Sequence, residues 1–170
     1  MYSGKTEELI RRLRRAQIAR QQVLICKPRV DNRYSTDSIV SHNTQSLSST
    51  VVDNPSDIIE LAKPAQVIGI DEAQFFPAEI IEVCERLASS GKRVIVAGLD
   101  QDYRAKPFGP MPQLLALAEY ITKTLAICMV CGNPADRTQR LTEQHELVVV
   151  GAKGVYEARC RKCFVPPKED

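Results

Sequence analysis

Apolar residues recur along the first two thirds of the chain in two rhythms that alternate. Leu9, Ile10, Leu13 and Ala16 fall at helical spacing, which predicts a helix from about Thr6 to about Gln21. VLICK, Val23–Lys27, is a short apolar run of the kind a buried strand shows. Residues 29–50 are polar, rich in Ser, Asn and Asp and without period, so they predict a loop or mobile flap. Pro55 opens a short helix through Leu61, since proline suits a first helical turn. QVIGID, Gln66–Asp71, predicts a second strand that runs into two carboxylates. Pro77 starts a helix in which Ile80, Ile81, Cys84, Leu87 and Ala88 share a face, and Gly91 ends it. RVIVAGLD, Arg93–Asp100, is a third strand; residues 101–110 form a loop; Leu114, Leu115 and Leu117 belong to another helix; and Thr124–Val130 begins as a strand.

Strands that alternate with helices imply an α/β fold, a mostly parallel sheet flanked by helices. From Cys128 onward the helical period stops and cysteines come in pairs. The expected division is therefore an α/β domain over residues 1–126 and a small second domain over 127–170. With 170 residues and 44% apolar side chains the chain can bury one substantial core. A net charge of only +2 argues neither for disorder nor for a strong nucleic-acid or membrane field. Arg11, Arg12, Arg14, Arg15 and Arg20 crowd the first helix, but no aromatics interleave, so a solvated face is expected, with no nucleic-acid partner. No apolar run is long enough to cross a bilayer and no signal peptide is visible. Cys26 and Cys84 sit alone in apolar stretches, which with the late pairs suggests a cytoplasmic protein holding a metal site and two buried thiols. His42 and His145 lie in polar stretches and read as surface residues.

Three motifs carry chemistry. Met1, Tyr2, Ser3, Gly4, Lys5 and Thr6 match the end of G-x-x-x-x-G-K-[ST] and open a helix, as that motif requires. Glycine lets the backbone approach phosphates, amides at a helix N-terminus point at anions, Lys5 offers a charge to the β- and γ-phosphates of ATP, and Thr6 offers a hydroxyl to Mg²⁺. The motif's first glycine and the strand before it are absent, and a P-loop fold without that strand is not expected to be stable; the expectation is that the protein extends ahead of Met1. Second, Asp71 and Glu72 follow a buried strand, at the sheet edge where ligands gather in open α/β folds. An Asp there can hold the Mg²⁺ that bridges phosphates, and the neighbouring carboxylate can take a proton from an attacking hydroxyl. These two motifs specify only an ATP-using P-loop protein, and a Glu at that position serves water activation as well as alcohol activation. Third, Cys128-x-x-Cys131 and Cys160-x-x-Cys163 have the spacing of a tetrahedral Cys₄ Zn²⁺ site, structural because it leaves no open position; two disulfides are the alternative.

Taken together, MYSGKTEEL, DNRYS, GIDEAQFF, LDQDYRAKPFG, the cysteine pairs, RTQR and VGAKGVYEARCRKC resemble the type II, cellular-type thymidine kinase family over essentially the whole chain. The resemblance implies a RecA-like ATP-binding α/β domain, a zinc domain whose loop closes over the nucleoside, a homotetramer, and inhibition by thymidine triphosphate. It implies Glu72 as general base and Asp71 as the Mg-linked carboxylate, with Asp31 and Arg33 near the ATP phosphates and Gln74 beside the nucleotide. Phe75, Leu99, Tyr103 and Phe108 match positions lining the thymine pocket. Thr138 and the run Leu147, Val148, Val149, Val150 and Gly151 match the closing loop, and Tyr156 an aromatic near sugar and base. The implied activity is transfer of the γ-phosphate of ATP to the 5′-hydroxyl of thymidine, and of deoxyuridine, in pyrimidine deoxynucleoside salvage. Two other classes use the same motifs: a RecA-like ATPase with a nucleic-acid-binding zinc ribbon, and a non-enzymatic module switched by ATP. The aromatic DEAQFF and KPFG segments favour a small-molecule pocket over both.

Overall fold

The computed structural model describes residues 2–29, 38–40, 46–142 and 154–167. Helix α1 (Lys5–Ile18) is followed by strand β1 (Val23–Pro28), a hairpin of β2 (Ser38–Val40) and β3 (Ser46–Ser48), and strand β4 (Thr50–Val52). Helix α2 (Asp57–Leu61), strand β5 (Val67–Ile70), helix α3 (Glu79–Ser89), strand β6 (Arg93–Val96) and helix α4 (Met111–Leu117) come next. The main sheet has the order β4-β1-β5-β6, and every pairing in it is parallel. The hairpin and β4 correct the expectation of an unstructured stretch over 29–50. Strands of three residues rich in Ser and Thr carry no readable alternation, and β4 is specified by its pairing along β1 and by the burial of Val52.

Alternation along the strands sends neighbouring residues to opposite faces, and each face has its own core. Ile25 and Val67 meet the apolar stripe of α1, made of Leu9, Ile10, Leu13 and Ala16. Cys26, Ile68 and Ile70 meet Ile58 of α2, Ile80, Val83, Cys84 and Leu87 of α3, and Met111 and Leu114 of α4. In α3 the buried set includes Val83 and leaves Ala88 exposed, because an arc at i, i+3, i+4 and i+7 from Ile80 faces the sheet. The arginines Arg11, Arg14, Arg15 and Arg20 are exposed, as the solvated-face reading requires.

After α4 the elements shorten to β7 (Ala126–Ile127) paired with β8 (Pro134–Ala135), and β9 (Arg137–Arg140) paired with β10 (Tyr156–Arg159). Their shared core is small, with Ala126, Cys128, Ala135, Ala158 and Cys160 buried and Cys163 packed against them. A cluster of that size contributes little burial energy, so this lobe needs a further staple.

Gly69 marks where α1 lies closest to the sheet. A Cβ there would stand 2.8 Å from Leu13 Cδ1, and Leu13 is fully buried. Gly69→Ala should therefore cost about 1–3 kcal/mol by overpacking. In a Leu13→Ala background, which itself should cost about 2–5 kcal/mol, that penalty should largely vanish. A double-mutant cycle by urea denaturation checks it; strictly additive costs would contradict the packing described.

Candidate active site

Strand ends and a helix start converge at one edge of the main sheet. The Asp71 amide donates to the Cys26 carbonyl at 2.9 Å, which continues the β1–β5 ladder past Ile70 and sets Asp71 beside the last residues of β1. Gly4 precedes α1 in the left-handed conformation, φ 79°, a turn that glycine takes without strain, and its carbonyl accepts the Glu8 amide. The first amides of α1 lack intrahelical acceptors, as at any helix start, which is the arrangement that suits an anion. Thr6 Oγ1 donates to Asp71 Oδ2 at 3.2 Å, and the Thr124 hydroxyl donates to Ser3 Oγ at 3.2 Å. Lys5 is close enough for its charge to act on Asp71.

Asp71 is buried, and that burial, followed by the neighbouring Glu72 carboxylate, pushes its carboxyl up to about 7. The Glu72 amide on Oδ1 at 3.0 Å, Lys5 and the Thr6 hydroxyl oppose the shift. Thr6 and Asp71 together present a hydroxyl and a carboxylate oxygen, the hard donors that suit a Mg²⁺ ion.

Glu72 itself is left-handed at φ 51°, ψ 41°. Such strain in a residue with a side chain persists only where its surroundings enforce it, and it gathers at functional sites. Here the enforcement is visible. Ala73 donates its amide to Ala97, fixing the following 3₁₀ turn, Ala73–Phe75, to the end of β6. Gln74, buried, donates from Nε2 to Glu72 Oε2 at 2.6 Å and accepts the Leu99 amide on Oε1 at 2.9 Å. Two glycines make room for Gln74. A Cβ on Gly98 would lie 2.9 Å from its Oε1, and one on Gly109, at φ 49°, only 2.5 Å from its carbonyl oxygen.

The aromatic residues lie beside this edge. Phe75 meets Phe108 edge to face, with centroids 5.7 Å apart. Tyr103 is buried beneath the Arg140 guanidinium, and Asp102 braces its loop by accepting the amides of Arg104 and Lys106 on Oδ1. On the cysteine-bearing lobe, Thr138 is buried on β9, and Tyr156 stands opposite Arg140 on β10. Met1, Asp31, Arg33, Leu147, Val148, Val149, Val150 and Gly151 lie outside the described residues, as do His42 and His145.

The sulfurs of Cys128, Cys131, Cys160 and Cys163 all lie within 4.8 Å of one another, with Cys131 and Cys160 3.6 Å apart. One ion with thiolates at about 2.3 Å in a tetrahedron spaces its sulfurs by about 3.8 Å, so the donor set and its size fit a Cys₄ metal site. The local field already favours thiolate at Cys128, where backbone amides, that of Cys160 first, hold the thiol down to about 6. Cys163, hydrogen-bonded to the other sulfurs, is pushed up to about 12. Cys26 and Cys84 are buried and pushed up to about 12, mainly by burial, which makes them inert core thiols.

Sequence reasoning assigned no individual role to Thr124, Asp102, Arg137 or Arg140. Arg137, buried, hydrogen-bonds the side chain of Gln101 and so ties β9 to the loop after β6. The two arginines stand in the RTQR segment, and two arginines in a strand beside a cysteine pair were the available signal. Their burial was not readable, because it comes from a loop distant in sequence.

Residues 1–164 match the model of a family described as "Thymidine kinase". The chain is also 60% identical over 168 residues to the thymidine kinase of Rhodothermus sp. (strain ITI 518), covering 99% of this chain and 79% of that relative.

The raised Asp71 pKa has a thermodynamic consequence. An unfolded Asp titrates near about 3.9, so the cost of burying this carboxylate is absent below that pH and grows as pH rises through about 7. Asp71→Asn should therefore raise the Tm of the Mg²⁺- and nucleotide-free protein by an amount that increases from pH 5 to pH 8. Thermal denaturation across that range is the check; a constant or shrinking difference would contradict it.

Proposed function

The chain belongs to the thymidine kinase family and is an enzyme that phosphorylates thymidine, and from that premise we propose that transfer occurs where the start of α1 meets the end of β5. The observation that carries this reading is the Thr6–Asp71 hydrogen bond with the strained Glu72 next in the chain. It brings the start of α1, the Thr6 and Asp71 oxygens and Glu72 side by side, which supports reading them as phosphate site, Mg²⁺ ligands and base.

In this reading Lys5 and the amides of the first helical turn, with Tyr2, Ser3 and Gly4 before them, bind the β- and γ-phosphates of ATP. Thr6 and Asp71 hold Mg²⁺, whose charge neutralises phosphate oxygens. Met1, Asp31 and Arg33 complete the phosphate end. Glu72 orients the thymidine 5′-hydroxyl and takes its proton as oxygen attacks the γ-phosphorus, and the Gln74 bridge holds Glu72 in place. Almost all of the catalysis is positioning and electrostatics, as phosphoryl transfer demands. Thymine lies among Phe75, Leu99, Tyr103, Phe108 and Tyr156, and Thr138 with residues 147–151 covers its edge and excludes water. Deoxyuridine, lacking only the methyl group, is accepted as well.

Cys128, Cys131, Cys160 and Cys163 hold a structural Zn²⁺ that supplies the missing staple of the small lobe. Residues 1–126 act as the ATP-binding domain and 127–170 as the zinc domain. The enzyme works in the cytoplasm as a homotetramer and is inhibited by thymidine triphosphate. Among the described residues, no helix is long and apolar enough to cross a membrane.

Transfer from γ-labelled ATP, run with thymidine, deoxycytidine and deoxyguanosine in parallel, tests the reading. Glu72→Gln should lower kcat by about 10²–10⁴ while thymidine binding changes little. Turnover at the parent rate removes Glu72 from the role. Removal of the cysteine-bound metal with a strong chelator, followed by removal of the chelator and assay in excess Mg²⁺, should abolish thymidine transfer and expose the small lobe to protease, while the α1–β5 core stays protected. Retained activity in metal-free protein would contradict a structural zinc.

A further inference from the structure

Arg140 holds together two aromatic rings that come from distant parts of the chain. Its guanidinium carbon lies 3.5 Å from the centroid of the Tyr103 ring and 5.2 Å from that of Tyr156. Its Nη2 donates to the Tyr156 hydroxyl at 2.7 Å. Tyr103 belongs to the loop after β6, whose start is clamped by the Leu99 amide on Gln74; Tyr156 stands on β10 and faces Arg140 in register. Both Arg140 and Tyr103 are buried.

A separation of 3.5 Å is van der Waals contact, so one face of Tyr103 is covered by a cation. The Arg104 guanidinium carbon lies 5.6 Å from the same centroid, so two cations shape the surroundings of this ring. A planar guanidinium can stack on one ring while an in-plane N–H reaches a second, and a lysine ammonium cannot do both. The arrangement therefore fixes the lobe-borne Tyr156 against the sheet-borne Tyr103, at a point remote from the phosphate loop in the chain.

We propose that Arg140 is a positioning residue for nucleoside recognition, orienting Tyr103 and Tyr156 as two walls of the base pocket while taking no part in ATP binding. The proposal rests on the placement of the thymine among these aromatics given above.

The test is steady-state kinetics with thymidine and ATP varied separately, on full-length Arg140→Met, Arg140→Lys, Tyr156→Phe and Tyr103→Ala, each checked for zinc content and Tm. Arg140→Met should raise the thymidine KM by about three- to thirtyfold, the range of a stacked cation plus one hydrogen bond, and leave the ATP KM within about twofold. Arg140→Lys should recover less than half of that loss. Tyr156→Phe should raise the thymidine KM more modestly, and its effect should disappear in the Arg140→Met background. A thymidine KM unmoved in Arg140→Lys, or an ATP KM that rises in step with it, overturns the proposal. Should Arg140→Met fail to fold, Arg140→Lys and Tyr156→Phe decide the matter. Tyr103→Ala separates the two levels of the argument. If it leaves the thymidine KM unchanged, the base pocket is misplaced; if it raises that KM while Arg140→Lys does not, the pocket stands and the role of Arg140 falls.

Discussion

The hydrogen bond from Thr6 to Asp71 joins positions 65 residues apart and places the start of α1 against the end of β5. Everything chemical in the molecule is arranged around that contact. It depends in turn on Gly69, whose missing side chain lets Leu13 lie against the strand, so the register of helix on sheet is set by close packing two residues before the carboxylate. A polar contact this exact in placement cannot be secured by one weak hydrogen bond; the apolar stripe of α1 supplies the energy and the hydrogen bond sets the final position.

Asp71 and Glu72 are adjacent carboxylates with different surroundings. Asp71 is buried among an amide, a hydroxyl and a nearby ammonium, which offset its burial cost only in part, so the carboxyl is still pushed up. Glu72 is turned away by its left-handed backbone and held by the Gln74 amide. Neighbours in an extended strand would diverge by alternation alone; the turn at Glu72 adds a second rotation and frees the pair to serve two partners. In the proposed mechanism, metal binding and proton transfer would be divided in this way between two residues that sequence places side by side.

The main sheet was legible because its strands are continuous apolar runs separated by amphipathic helices, and α1, β1, β5, α3 and β6 fall where VLICK, QVIGID and the helical periods place them. The hairpin and β4 were not legible, since three-residue strands that mix Ser or Thr with Ile, Leu or Val are too short to show a period and owe their existence to partners. Cys128, Cys131, Cys160 and Cys163 were read from spacing alone, and their sulfurs do converge. The arginines of RTQR were invisible as individuals. A charged residue is a surface residue by default, and Arg137 and Arg140 are buried by partners distant in sequence, the loop after β6 folded over β9 and, for Arg140, Tyr156 of β10.

The links between β9 and the loop after β6 are polar and cationic: Arg137 to Gln101, and Arg140 to Tyr103. The small lobe has its own miniature core and four converging sulfurs. An apolar seam between the two would weld them, because burying it is non-directional and costly to reverse. Guanidinium contacts are directional, so they hold Tyr103 and Tyr156 in one geometry about Arg140. Under the proposed activity, a kinase that admits a nucleoside, excludes water during transfer and releases a charged product needs aromatic side chains held in a defined geometry, and a metal held by the four cysteines would let the small lobe keep its own fold meanwhile.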